Sequence, residues 1–476
     1  MSHQKNSRTP RPIRFLFENS LFLIFGAVAA LIWANVHTES YEYFIHFNPT
    51  HGEAHDVAHG AHDAGHATSV QPAVEHSSEN VGEAIHAAGA DGKKAAGGHG
   101  LIVFLVNDLL MALFFAIAGK EVWESILPGG ALSNPKKAAT PLLATVGGIV
   151  GPAAVYLVGC VLVDQWNTLH NGWAVPCATD IAFSYLVARI IFGTGSPAIA
   201  FLLLLAIADD AAGLVILAVF FPSKAIVIQW LGLTVAAIAL GYGMRKMRLQ
   251  SFWWYLLGPG VLSWTSFYLA GIHPALGLVP IIPTMPHAHT DLGIFAQKER
   301  GREDTLNEFE HWWKNPVELV LGLFGLVNAG VVLNNFAAGT WLVLAGLIIG
   351  KTFGILFFTW VAVRWMKMEM PSGMTYRHVA TLGMVAAIGF TVALFVSVAA
   401  FKTAPTAILD SVKMGALLSF AAAPLAYLLA KILNVKPVSA EEAGGIEYAT
   451  STSPDGESGD QSLDGPEVAL SESVGG

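Results

Sequence analysis

The stretch Ala198–Phe221, AIAFLLLLAIADDAAGLVILAVFF, places two adjacent carboxylates, Asp209 and Asp210, near the middle of an otherwise apolar run. A segment of about 20 apolar residues is long enough to cross the hydrocarbon core of a bilayer. A charged side chain at the centre of such a helix costs roughly 2.5–3.5 kcal/mol on insertion scales. Two side by side also repel each other. The pair is therefore tolerable only against protein or a water-filled cavity, where it can meet protons or cations. An ionisable residue in that position is a functional site by default. The alternative is a paired acid buried in the core of a soluble helix, which the apolar length on both sides disfavours.

The rest of the chain agrees with a membrane setting. Of 476 residues, 54% are hydrophobic and 13% charged, whereas soluble domains carry about 25% charge. Mean hydropathy is +0.53. The net charge of −9 reflects an acidic C-terminal tail more than any binding surface. No basic patch with interleaved aromatics occurs, which argues against nucleic-acid binding. Cys160 and Cys177 lie in or beside apolar segments and show neither metal-ligand spacing nor a disulfide framework.

Apolar runs predict twelve spans, at about 15–36, 101–118, 138–163, 173–193, 198–221, 225–243, 252–270, 273–286, 315–333, 337–363, 376–400 and 407–432. Residues 1–14 then form a basic N-terminus, 37–100 a loop, 101–436 the main transmembrane domain and 437–476 an acidic tail expected to be disordered. With the N-terminus in the cytoplasm, the cytoplasmic loops hold Lys136, Lys137, Arg245, Lys246, Arg248, Lys298, Arg300, Arg302 and Lys367, among others. The opposite loops hold only Lys93, Lys94, Lys224, Lys402 and Lys413. That bias puts both termini inside and the 37–100 loop outside. The loop carries His51, His55, His59, His62 and His66. On a helix these would share a face able to chelate zinc, copper or nickel, but Gly52, Gly60 and Gly65 favour a solvated low-complexity segment.

Three features join the acid pair. Asp180 follows Pro176 and Thr179 in Cys177-Ala-Thr-Asp-Ile-Ala-Phe-Ser184. Proline disturbs the helix there, and a broken helix in a membrane exposes polar ends beside a cavity. Asp180 either caps the new helix start or takes part in transport. Lys351 lies about ten residues from either end of its apolar run, too deep to snorkel. It needs an acid partner, and Asp209 or Asp210 is available; a purely structural salt bridge is the alternative. Ile388-Gly-Phe-Thr-Val392 interrupts the eleventh span at the position corresponding to the break at Pro176. Paired interruptions in two halves point to inverted repeats around a midplane site, with Asp180 and Lys351 compensating the opposed helix ends.

These stretches together resemble the bacterial NhaA-type sodium/proton antiporters. The resemblance spans about 101–436 and rests on Asn107-Asp-Leu-Leu-Met-Ala-Leu-Phe-Phe115, Gly172-Trp-Ala-Val-Pro176, Ala178-Thr-Asp-Ile-Ala-Phe183, Ala206-Ile-Ala-Asp-Asp210, Gly271-Ile-His273, Asn328-Ala-Gly-Val331, Gly350-Lys351 and Gly389-Phe-Thr391. It implies an all-α multi-pass fold with two broken, crossing helices. It implies that Asp209 and Asp210 bind Na+ or Li+ and exchange it for protons, that Asp209 pairs with Lys351, and that Thr179 and Asp180 lie at the crossing. It further implies two protons per sodium, electrogenic exchange, an inner-membrane location and no cofactor. Glu121, Glu310 and His311 fall in regions the family links to pH response. The chain departs from the family where Gly119-Lys-Glu-Val-Trp-Glu-Ser125 replaces a stretch resembling G-L-E-V-K-R-E. The His-rich segment also stands where the family carries a dimerising β-hairpin, so a homodimer is left open. Two other readings use the same acids. An intramembrane aspartyl protease would need two carboxylates on different helices sharing a proton, and a sodium-coupled solute symporter would need a solute motif that is not visible.

Overall fold

The computed structural model describes residues 21–47, 100–130, 132–133, 135–287, 304–334, 336–371 and 373–437. The His-rich run, the loop basic residues from 298 to 302, the tail from 438 and the start of the first expected span lie outside the described residues.

The described chain is helical throughout. α1 (Leu21–Val36) and α2 (Thr38–His46) lead to α3 (Leu101–Ile126) and α4 (Pro135–Leu162). α5 (Trp166–Cys177) and α6 (Ile181–Phe192) form one span bent by 54° at a short break. α7 (Pro197–Phe220) carries the acid pair, and α8 (Leu231–Lys246) follows it. α9 runs from Phe252–Tyr255 through a π turn at Leu256–Gly260 into Val261–Ala270. α10 (Thr305–Asn328) and α11 (Ala338–Arg364) precede a second bent span, α12 (Tyr376–Ala386) with α13 (Phe390–Ala400), broken at 52°. α14 (Thr406–Ile432) closes the bundle. Among the described residues, five helices are long and apolar enough to cross a membrane unaided, and seven spans result if each bent pair counts as one. The other expected spans are helical but shorter or more polar.

Several boundaries depart from the sequence reading, each for a physical reason. The second expected span continues from residue 118 to Ile126 because Lys120 and Glu124 pair across one turn, so the charged turn stays helical. The sixth, expected from 225, starts its α-helix at Leu231 after a short 3-10 turn. The expected span at 273–286 is two 3-10 turns, Pro274–Leu276 and Val279–Thr284. Pro274, Pro280 and Pro283 each remove an N–H that a longer α-helix needs. α10 begins ten residues before the expected 315, capped by the Asp304 carboxylate, which accepts from the Asn307 N–H at 2.8 Å.

Packing around the site depends on small residues. Gly147 and Gly151 on α4 face Gly350 and Gly354 on α11, and a Cβ on Gly151 would lie 2.8 Å from the Gly354 Cα. Small residues four apart let two backbones approach closely within a bilayer. A π turn at Gly346–Lys351 sits in this contact and sets Lys351 at its end. Gly148 lies beside the lysine stem, at 3.8 Å from Cε for an added Cβ. The close helix pair thus encloses a charged side chain with no solvent exposure.

Candidate ion-binding site

Asp209 and Asp210 follow each other on α7, so their side chains leave the helix about 100° apart. The surroundings treat them differently. Asp209 is buried and its Oδ2 accepts twice, from Thr179 Oγ1 at 2.7 Å and from Lys351 Nζ at 2.8 Å. Asp210 is half-buried and, among the described residues, has no hydrogen-bond or ion-pair partner. It lines a cavity of about 220 Å³ together with Glu121, Thr179, Asp180, Glu310, Lys314 and Thr391. A smaller void of about 20 Å³, walled by Phe114, Phe115, Leu214 and Leu217, lies on the other side of the pair. One acid is therefore neutralised in place, and the other stands at the edge of an open space large enough for ions and water.

The two broken spans supply the rest. Their breaks meet: the Asp180 N–H donates to the Ile388 carbonyl at 2.7 Å, and a Cβ on Gly389 would fall 2.6 Å from the Ala178 carbonyl oxygen. Glycine is needed at 389 because the two backbones cross there. Each break creates a helix N-terminus with orphan N–H groups and a partial positive charge. One carboxylate serves both. Asp180 Oδ1 accepts from the Phe183 N–H of α6 at 3.3 Å, while Oδ2 accepts from the Thr391 N–H of α13 at 3.3 Å and from the Thr391 hydroxyl. The opposite ends, with unpaired carbonyls, are met by donors. Lys351 Nζ donates to the Cys177 carbonyl at 2.5 Å, and Thr179 Oγ1 lies 3.3 Å from the Ala386 carbonyl. Asp180 thus caps α6 and also lines the cavity beside Asp210.

A paired and an unpaired carboxylate at the crossing of two broken membrane helices is a transporter's arrangement, and comparison with known sequences identifies which. Residues 85–430 match the family described as Na+/H+ antiporter 1. The chain belongs to the NhaA antiporter family. A Na(+)/H(+) antiporter NhaA from Jannaschia sp. is 45% identical over 443 residues, covering 89% of this chain and 98% of that protein. Those of Geobacter metallireducens and Desulfitobacterium hafniense are 41% and 40% identical, covering 90% and 93% of this chain and 99% and 100% of theirs. The NhaA family is one of transporters, not enzymes. A protease reading also finds its acids engaged: Asp180 holds two helix ends and Asp209 holds a lysine.

The remaining expected residues divide. In this NhaA-family chain Glu121 and Glu310 line the cavity, whereas His311 faces outward from α10 and is absent from its wall. Sequence reading missed Lys120. Its ammonium is 2% exposed and lies 2.5 Å from the Glu124 carboxylate, with Glu310 as a second acid partner and Asn307 Oδ1 at 3.3 Å. The signal was present as a Lys and a Glu four apart in an apolar helix, but Glu310 stands 190 residues away. Asn107 and Asn328, both in family-matching stretches, exchange side-chain hydrogen bonds at 3.0 and 2.8 Å and tie α3 to α10. Among the described residues no group of three or more His, Cys, Asp or Glu forms a metal site, and Cys160 and Cys177 are buried thiols.

Proposed function

We propose that this protein exchanges Na+ or Li+ for H+ across the cell's inner membrane by alternating access, with Asp209 and Asp210 as the ion site. The observation that carries the reading is the asymmetry of the pair: Asp210 unpartnered on the cavity, Asp209 held by Lys351 and Thr179. A sodium ion arriving at Asp210 brings a positive charge next to the Asp209–Lys351 pair. It competes with the ammonium for Asp209. Lys351 has a second acceptor already in contact, the Cys177 carbonyl, so it can yield the carboxylate without losing all its hydrogen bonds. Protons and sodium then compete for one site, and competition at a site that faces each side in turn is sufficient for exchange. Two protons released per sodium bound, one from the acid pair and one from Lys351, would make the cycle electrogenic.

The loop charges support a cytoplasmic N- and C-terminus. In this reading the cavity edged by Glu121 and Glu310 then opens to the cytoplasm. Residues 101–436 form the antiporter domain in this reading, with 1–14 and the tail 437–476 cytoplasmic, 15–36 the first span and 37–100 outside. In this reading Glu121 and Glu310, which line the cavity, tune the response to pH, Glu310 through its ion pair with Lys120.

The test uses inverted vesicles with an acid interior. Added sodium should release protons for wild type across roughly neutral to alkaline pH and should do nothing for Asp210→Asn. Sodium-driven release that survives Asp210→Asn refutes the assignment of the site. A solute requirement for sodium movement would replace it with symport.

A further inference from the structure

A second cavity, of about 440 Å³, lies at the far end of the bundle and is lined by Asn107, Asp108, Ser223, Lys224, His273 and Lys402 among others. Three helices that border the ion site continue to it. α3 carries Glu121 at one cavity and Asp108 at the other, 13 residues or about 20 Å apart along the axis. α7 runs from Asp210 to its end near Ser223, and α13 from Thr391 to the turn that holds Lys402. Phe115, which walls the small void beside the acid pair, packs on Phe395 with centroids 4.9 Å apart. Phe395 in turn packs on His273 at 4.8 Å.

The charged groups of this far cavity are unequal. Asp108 is its single carboxylate among the described residues, with His273 Nδ1 at 3.7 Å from Oδ1. Two lysines face it. Lys224 Nζ sits 5.2 Å from the Tyr268 ring centroid. Lys402 Nζ donates to Ser223 Oγ at 2.9 Å and interacts electrostatically with Asp108. Lys402 is thus held, half-buried, on the wall of the cavity that it shares with Asp108, the one acid there among the described residues. A tethered cation in a confined aqueous space lowers the local concentration of mobile cations.

We propose that Lys402 is a positioning residue that screens Asp108 and weakens sodium capture from the far face of the transporter. This inference rests on the functional reading above, in which the far cavity is the external one. An exchanger cannot change its equilibrium by this means, but it can make the two faces differ in apparent affinity. A single charge about 5–10 Å from a passing ion, at an effective dielectric of about 50–80, alters its local concentration by about two- to tenfold.

The experiment reconstitutes the full-length protein in liposomes and measures the KM for Na+ with sodium presented on either face, for wild type, Lys402→Met, Lys402→Arg and Lys402→Met combined with Asp108→Asn. The external KM is expected to fall two- to tenfold in Lys402→Met, to stay near wild type in Lys402→Arg, and to return toward wild type in the double variant. The cytoplasmic KM is expected to stay put in all of them. An unchanged external KM, or equal shifts on both faces, overturns the proposal. If Lys402→Met does not reconstitute, Lys402→Gln replaces it, and equal external KM values for Lys402→Gln and Lys402→Arg also overturn it. Absence of any exchange in the wild type refutes the functional reading itself; exchange that is insensitive to Lys402 refutes only this inference.

Discussion

Replacing Lys351 by Met tests whether the Asp209 ion pair holds the site together. Met is of similar length, so it fills the space between Gly148 and Asp209 and removes only the charge and its two hydrogen bonds, at 2.8 Å to Asp209 and 2.5 Å to Cys177. Lys351 has no solvent exposure and Asp209 is 4% exposed, so water cannot replace the lost partner. Breaking a buried pair by removing one member costs about 3–5 kcal/mol, whereas removing both can be neutral or stabilising. Lys351→Met should therefore lower the midpoint of thermal or SDS unfolding in micelles, followed by tryptophan fluorescence. The double variant Lys351→Met with Asp209→Asn should recover most of the loss, with a coupling energy near the top of the range of about 0.5–3 kcal/mol seen for residues in contact. If Lys351→Met unfolds like wild type, or if the two substitutions simply add, the pair is not what stabilises the crossing and the reasoning fails.

Asp180→Asn should be destabilising by about 2–4 kcal/mol, because an amide keeps one acceptor oxygen but turns an NH2 donor to the second of the two N-termini, α6 and α13, that each require an acceptor, and because the charge opposing both helix dipoles is lost. An unchanged unfolding midpoint accompanied by lost exchange would assign Asp180 to the ion instead. Lys120→Met should leave Glu124 and Glu310 without their shared cation and cost about 3–5 kcal/mol. Adding Glu310→Gln should restore part of it in the same unfolding assay, and failure to do so would show that the network is not coupled.

Much of the site was legible because membrane burial makes charge conspicuous. Asp209 and Asp210 as an adjacent pair, and Asp180 and Lys351 singly, interrupt apolar runs, and the pairing of Lys351 with an acid follows from that isolation. Which acid it takes does not, since adjacent residues on α7 are equally near in sequence. The break at Pro176, the interruption at Gly389 and a compensating charge at Asp180 were visible, but not its hydrogen-bond partner on α13, because Thr391 lies 211 residues further along. Lys120 was hidden for the opposite reason. It sits among other charges near a helix end, where a lysine usually reaches solvent, and only the fold brings Glu310 over it. His311 leaves the cavity wall that Glu310 lines because successive residues on a helix point some 100° apart. The expected span at 273–286 is broken into two 3-10 turns because Pro274, Pro280, Pro283 and Pro286 interrupt its apolar run.

The crossing also has a mechanical meaning. The breaks of the two bent spans are stitched by the Asp180–Ile388 backbone bond, the Thr179–Ala386 contact and the two-sided grip of the Asp180 carboxylate. Thr179 and Lys351 then fasten α7 and α11 to the same knot through Asp209. Flexible-looking interruptions are thus among the most cross-linked points of the molecule. The cavity beside Asp210 has this knot on one wall and α3 and α10, clipped together by Asn107 and Asn328, on the other. Relative motion is cheapest where few polar bonds cross. That line is the seam between the two walls, so the ion site should travel as a rigid unit past α3 and α10, and the broken helices need not bend further.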